Sequence, residues 1–263
     1  MIQKITLLGA GNLATQLGKS LQKAGVEIIQ VYSRTEESAG KLANLLGCGF
    51  TNKVGEIDLS AGLILVALKD DVLEEVLAKR DWQNSLMVHT AGSIPMDVLA
   101  KYTERFGVFY PLQTFSKQRD VDFSQVPVCL EASSSVLVNR LKQLAGQISG
   151  DVHEINSEQR KILHLAAVFT CNFVNHLYYL GDRLLQQEGL NFDLLKPLIK
   201  ETADKVMNFR PFDVQTGPAR RFDETIINKH LNLLDKQPEL RKIYSFVSES
   251  IFLAHKKNSD DIF

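Results

Sequence analysis

Ile5-Thr6-Leu7-Leu8-Gly9-Ala10-Gly11-Asn12-Leu13-Ala14 is the stretch with the most definite chemistry. An apolar run reaches Gly9 and Gly11 with one residue between them, and Ala14 follows three residues later. In a G-x-G-x-x-G/A arrangement a strand turns tightly into a helix. The first glycine permits the turn, the second lets a pyrophosphate approach the backbone, and the small third residue lets the helix pack close. The helix N-terminus adds unpaired N–H groups and the positive end of its dipole. Gly9, Ala10, Gly11, Asn12 and Leu13 are therefore the expected cradle of a dinucleotide. The alternative is a tight turn that holds no ligand.

The next strand, Val26 to Tyr32, ends in Ser33-Arg34-Thr35. A site that prefers NAD carries Asp or Glu there, against the ribose hydroxyls. A guanidinium between two hydroxyls suits a 2′-phosphate, which Arg grips with two parallel bonds. Ser33, Arg34 and Thr35 thus point to NADP(H). Alternatively, Arg34 is a solvated cation and Thr35 caps the helix beginning Glu36-Glu37.

Ligands of open α/β sheets lie beyond the carboxyl ends of the strands. Ala67 and Leu68 close an apolar strand at 63–68, followed by Lys69-Asp70-Asp71. His89-Thr90-Ala91-Gly92-Ser93 follows the strand at 86–88, and Tyr110-Pro111-Leu112-Gln113-Thr114-Phe115 follows that at 107–109. Ala67, Leu68, His89 and Thr90 are expected around the cofactor, and Ser93 and Gln113 around a substrate. His89 reads equally as a strand-end histidine bonded to backbone.

A long helix over 157–187 supplies a second group. At 100° per residue, Ile162, Ala166, Phe169, Phe173, Leu177, Leu180 and Leu184 share one, core-facing side. Arg160, His164, Cys171 and Asn175 lie opposite, with Asn172 on their flank. Uncharged polar groups are unusual on a solvent face and fit a polar cleft. His164 would give or take a proton there, with Asn172 and Asn175 orienting the substrate. A packing or dimer interface accounts for them as well. Finally, Thr216-Gly217-Pro218 predicts a rigid turn into a helix, and Thr216, Gly217 and Arg220 form a candidate substrate contact whose arginines otherwise pair with Asp223 and Glu224.

These residues need a scaffold. Strand and helix alternate through about Ile155, which predicts a doubly wound, mostly parallel Rossmann-type α/β sheet. Only helical periodicity follows. The expected division is 1–155, binding NADP(H), and 156–263, all helical, for substrate and dimer contacts. The chain has 263 residues and a formal charge of −1, which gives no electrostatic reason to expect nucleic acid or an anionic membrane. The apolar stretch 163–185 carries too many polar residues for a membrane span. Three scattered cysteines suggest reduced thiols in the cytoplasm, no disulfide framework, and no metal site. Nothing at the N-terminus reads as a signal peptide.

With these motifs in view, the chain resembles the NADP oxidoreductase-like proteins that join a Rossmann-like domain to an uncharacterised helical domain. The resemblance rests on Leu8 to Ala14, His89 to Ser93, Tyr110 to Phe115, His164 to Phe169, Cys171 to His176 and Thr216 to Arg220. Wider relatives are pyrroline-5-carboxylate reductase, coenzyme F420-dependent NADP reductases and β-hydroxyacid dehydrogenases. In those, the resemblance implies, a helical domain supplies dimer contacts and closes over the nicotinamide. The Lys and Asn that β-hydroxyacid dehydrogenases place one turn apart are replaced here by His164 and Val168. The expected function is an NADP(H)-dependent oxidoreductase, a homodimer that passes hydride to or from a small carbonyl or imine in an interdomain cleft. The competing reading is a non-catalytic dinucleotide-binding sensor or assembly protein with a helical dimer interface.

Overall fold

The computed structural model describes the backbone of residues 2–260 and side chains through Lys256. Two compact units are present, residues 1–172 and 173–263. Unit one holds eight strands: β1 Lys4–Leu8, β2 Glu27–Tyr32, β3 Gly49–Thr51, β4 Leu63–Val66, β5 Met87–His89, β6 Phe106–Pro111, β7 Val128–Ala132 and β8 Val152–Glu154. They form a single sheet in the order β3-β2-β1-β4-β5-β6-β7-β8. All neighbours run parallel except β6 and β7, which are antiparallel. Crossing between the chain's first and fourth strands, the order reverses at β1, the topological switch point where ligands of such sheets bind.

The helices of this unit are α1 Asn12–Lys23, α2 Glu36–Leu46, α3 Leu73–Leu77, α4 Ser135–Ala145 and α5 Ser157–Ala167. Strand side chains alternate between two faces. Ile5, Leu7, Leu63, Leu65 and Val88 bury against Leu17, Leu21, Leu42, Leu141 and their neighbours. Leu8, Ile64, Val66 and Met87 bury against Leu73, Val76, Trp82 and Leu99 on the other face. Strands read as continuous apolar runs because both faces are covered. A smaller cluster, Val108, Tyr110 and Cys129, packs against Ile155 and Leu163 and seats α5 on the sheet.

Caps set the helix starts. Thr35 Oγ1 accepts the Ser38 N–H, and Ser134 caps α4 through the Leu137 N–H. Helix α5 opens on a capping box that the sequence reading missed: Asn156 accepts the Gln159 N–H, and the Gln159 side chain accepts the Asn156 N–H. The pattern lies one residue upstream of the expected start at Ser157.

Unit two holds α6 Val174–Gln187, α7 Lys196–Asn208, α8 Pro218–Arg221, α9 Glu224–Leu233 and α10 Pro238–Asp260, with a small core of Leu180, Leu234 and Leu240. His230 Nδ1 and Tyr244 Oη lie 2.8 Å apart beside it. Phe222 stacks on Phe252 with ring centroids 4.0 Å apart. Among the described residues no helix is long and apolar enough to cross a membrane.

Residues 168–173 form a π-helical segment between α5 and α6. A π turn contains more residues than an α turn, so the uniform 100° count fails beyond Val168. The expected core-facing stripe is also not buried. Ile162, Phe169, Phe173, Leu177 and Leu184 are exposed, and only Leu180 of that set is in the core. The reason is that apolar periodicity marks a face that avoids water without saying whether this chain covers it.

Candidate functional site

The sheet register gathers the cofactor candidates. Tyr32, Leu8, Val66 and His89 are successive partners across β2, β1, β4 and β5. Ser33, Gly9, Ala67 and Thr90, each one residue further on, therefore stand together along one edge. Gly9 has φ +119°, and a Cβ there would fall 2.2 Å from the Ala67 carbonyl oxygen. Only glycine fits, both for its backbone conformation and for its approach to the neighbouring strand. Gly9 N–H donates to Tyr32 O at 2.8 Å, and Ala67 N–H to Leu8 O at 2.7 Å.

Gly11 differs in kind. Its φ is −79°, ordinary for any residue, and an added Cβ would meet nothing within 4 Å. The protein itself does not require glycine there; the space over it is open. Gly11 is the N-cap of α1 without a side-chain cap, and the first turn carries no acidic residue. Ala14 is buried, as close helix–strand packing demands. An uncapped twelve-residue helix facing open space at the switch point fits a dinucleotide pyrophosphate.

Asn12 is exposed, and its Nδ2 donates to the Phe115 carbonyl at 2.9 Å. Gln16 Nε2 donates to Ser116 O and Arg119 O, and Lys19 pairs with Asp120. Helix α1 thus straps down the segment after β6. That segment lines a polar cavity of about 400 Å³ with Gln113, Thr114 and Phe115. Gln113 Oε1 accepts the Thr114 N–H.

Arg34 is exposed at the end of β2, without a hydrogen bond among the described residues. Its charge helps hold the Glu75 carboxyl below the usual range, after the larger effect of Lys79. Thr35 performs its cap and Ser33 is half-buried. The capping and phosphate-binding readings of this loop remain compatible.

His89 is wholly buried at the end of β5. Its Nδ1 accepts the Ala91 N–H at 3.2 Å, and Nε2 lacks a hydrogen bond of normal geometry among the described residues. Burial, then the Arg160 charge, push its pKa down to about 4, with the Pro95 carbonyl opposing. The ring is a neutral strand-end group at pH 7. Thr90 is buried with Oγ1 3.4 Å from Val66 O, and exposed Ser93 donates to Asp70 Oδ2.

His164 is half-buried on α5. Tyr110 Oη lies 3.1 Å from its Nδ1. A Cβ on Gly92 would fall 2.6 Å from Nδ1 and 2.7 Å from Cγ, so the ring sits where only glycine allows. Burial pushes the Tyr110 phenol up to about 12, with the Arg160 guanidinium opposing. Sequence reasoning gave Tyr110 no role. The strand was expected to end at 109 but continues to Pro111, and a partner 54 residues away leaves no local spacing to detect.

Arg160, expected on a cleft-lining face, is 1% exposed. Nη1 pairs with Glu131 Oε2 at 2.5 Å, and Nη2 donates to Ile94 O at 2.6 Å. Glu131 Oε1 also accepts the Ser157 N–H, while Ser157 Oγ donates to Oε2. This buried charge is an anchor for α5. Asn172 and Asn175 are exposed and make no side-chain hydrogen bond among the described residues.

Thr216 and Gly217 line an apolar groove of about 410 Å³ in unit two with Leu177, Leu184 and Tyr244. Gly217 adopts φ +103° and Pro218 begins α8, the expected rigid turn. The helix is a single turn, and Arg220 Nη1 donates to Gln215 O at 2.8 Å instead of pairing with Asp223 or Glu224.

Residues 4–92 match the family described as NADP oxidoreductase, coenzyme F420-dependent. Residues 126–251 match a domain of unknown function (DUF2520). No curated protein matches the chain. Among solved structures, a candidate NADP oxidoreductase of Bacteroides fragilis is 49% identical with a TM-score of 0.88, covering 95% of this chain and 98% of its own. A Thermotoga maritima protein shares the fold at 22% identity and TM-score 0.72, with coverage of 97% and 99%. So does an imine reductase from Myxococcus stipitatus in complex with NADP+, at 16% identity and TM-score 0.65, with coverage of 98% and 94%.

Proposed function

Because the chain belongs to the NADP oxidoreductase family of the Bacteroides fragilis protein, we propose that it binds NADP(H) and passes hydride to or from a small carbonyl or imine substrate. The observation that carries the reading is the open space over Gly11 at the uncapped start of α1. When bound, the nicotinamide cofactor supplies or accepts the hydride.

The chain's own residues bind and orient. Backbone N–H groups of Gly11, Asn12 and Leu13 face the pyrophosphate, and Ser33, Arg34 and Thr35 take the 2′-phosphate. Ala67, Leu68 and Thr90 border the dinucleotide along the adjoining strand ends. His164 gives a proton to the substrate oxygen or nitrogen, or takes it in the reverse direction. Ser93, Gln113, Asn172, Asn175, Thr216, Gly217 and Arg220 are proposed substrate contacts. Exposed Phe169, Leu198, Met207 and Phe246 support a homodimer through the helical region.

The test is calorimetric titration with NADPH and NADH, on the wild-type protein and on Arg34→Ala. NADPH binds more tightly, and the substitution weakens NADPH about tenfold or more while leaving NADH nearly unchanged, the size of a lost charge-assisted contact. If neither nucleotide binds, the oxidoreductase reading fails and a scaffold role replaces it.

A further inference from the structure

We infer that Tyr110 is a positioning residue that fixes His164 as the Nε2–H tautomer, so that Nε2 is the atom that presents a proton to substrate. The tautomer follows from the geometry of the pair. Only its catalytic consequence rests on the reading of His164 as acid or base.

Tyr110 Oη and His164 Nδ1 are 3.1 Å apart, and the two rings meet edge-on with planes at 71°. A phenol has one proton to donate, and an imidazole ring nitrogen is a strong acceptor for it. In the opposite arrangement Nδ1–H donates to Oη, and the phenol proton needs a second acceptor. Tyr110 is 8% exposed and has no other hydrogen-bond partner among the described residues. A buried O–H left unmade costs more than a typical bond returns. The donating arrangement satisfies both groups and forces the single proton of the neutral ring onto Nε2.

Two further features hold this arrangement. Gly92 lies against the Cβ–Cγ–Nδ1 edge of the ring, where any larger residue would displace it from Tyr110. The phenol also stays protonated through the neutral range, since burial raises it to about 12. Nε2 of His164 makes no hydrogen bond among the described residues, which leaves it for a ligand. A neutral imidazole donating from Nε2 polarises a carbonyl or imine without requiring an imidazolium.

The experiment is long-range ¹H–¹⁵N correlation NMR of ¹⁵N-histidine-labelled protein, recorded where the ring is neutral. His164 is assigned among the six histidines by its loss in His164→Gln. The wild-type spectrum shows the proton on Nε2. In Tyr110→Phe the Nε2–H to Nδ1–H ratio falls roughly fivefold, the equivalent of one ordinary hydrogen bond. A proton on Nδ1 in the wild type overturns the inference, as does an unchanged ratio in a folded Tyr110→Phe. Should that variant not fold, the wild-type tautomer alone decides. With a substrate in hand, Tyr110→Phe lowers kcat and spares KM. If the oxidoreductase reading fails, turnover is absent in wild type and variant alike, while the NMR result stands.

Discussion

Arg160 and Glu131 form an ion pair at 2.5 Å in which the guanidinium is almost wholly buried and the carboxylate also accepts the first N–H of α5. The pair ties the helix that carries His164 to strand β7. Arg160 Nε, by contrast, is buried without a partner among the described residues, so the anchor is not fully satisfied. Removing one member of such a pair leaves the other charge uncompensated.

Arg160→Met is accordingly expected to lower unfolding free energy by about 3 kcal/mol or more, the range for breaking a buried pair. Urea denaturation measures it. A loss within roughly 0.5 kcal/mol, typical of surface positions, would show that the pair anchors nothing.

His89 makes stability depend on pH. Its folded pKa of about 4 lies below the unfolded value of 6.5. Between those values the unfolded chain binds the extra proton, so stability rises with pH across the window and is lost as pH falls from 6.5 to 4. The contribution is at most roughly 3 kcal/mol. His89→Gln should flatten this window relative to wild type in denaturation curves taken at pH 4.5 and 7. Parallel curves for the two proteins would contradict the burial argument.

Gly9 and Gly11 should separate fold from ligand. Gly9→Ala places a Cβ 2.2 Å from a backbone oxygen at positive φ and is expected to destabilise the protein by several kcal/mol. Gly11→Ala meets no protein atom, so its Tm should stay within a degree or two while NADPH affinity drops tenfold or more. Undiminished NADPH binding in Gly11→Ala would move the cofactor away from this turn.

The exposed apolar side chains of the helical region predict a dimer in solution. Sedimentation equilibrium should show it at micromolar concentration, and an Asp at Phe169, Leu198 or Phe246 should dissociate it at one position at least. A monomeric wild type would remove the proposed interface.

The glycine motif was legible in sequence because its residues are local and each glycine answers a separate steric demand. Strand identities were legible for a similar reason, since parallel strands covered on both faces must be continuously apolar. Arg160 was not, because a charged residue ordinarily marks solvent and its burial depends on Glu131, 29 residues away. The π segment was hidden because a period read from residue types assumes one pitch throughout. His89 offered no discriminating neighbour: the same residue at a strand end faces inward or outward depending on packing. Asn156 and Gln159 were readable as a capping box, since an acceptor side chain followed three residues later by Gln is a local pattern.

The reversal at β7 decides the direction in which α5 travels. A helix that follows a parallel strand, as α1 follows β1, starts at the strand's carboxyl end and runs back down the sheet, carrying its later residues away from the cofactor edge. Strand β7 enters beside Pro111 and leaves beside Gly107, and β8 runs alongside it. The chain therefore leaves β8 heading away from the Pro111 end, with Ser157 fastened to Glu131, the partner of Val108 two residues before Tyr110. From there α5 climbs, gaining about 10 Å between Ser157 and His164. It arrives beside Tyr110, on the edge to which Gly9 belongs. One inverted strand thus turns a departing helix into an arriving one. The height of the imidazole is set by counting residues from a carboxylate on that strand, so a single insertion between Ser157 and His164 would swing the ring about 100° around the helix and out of reach of Tyr110.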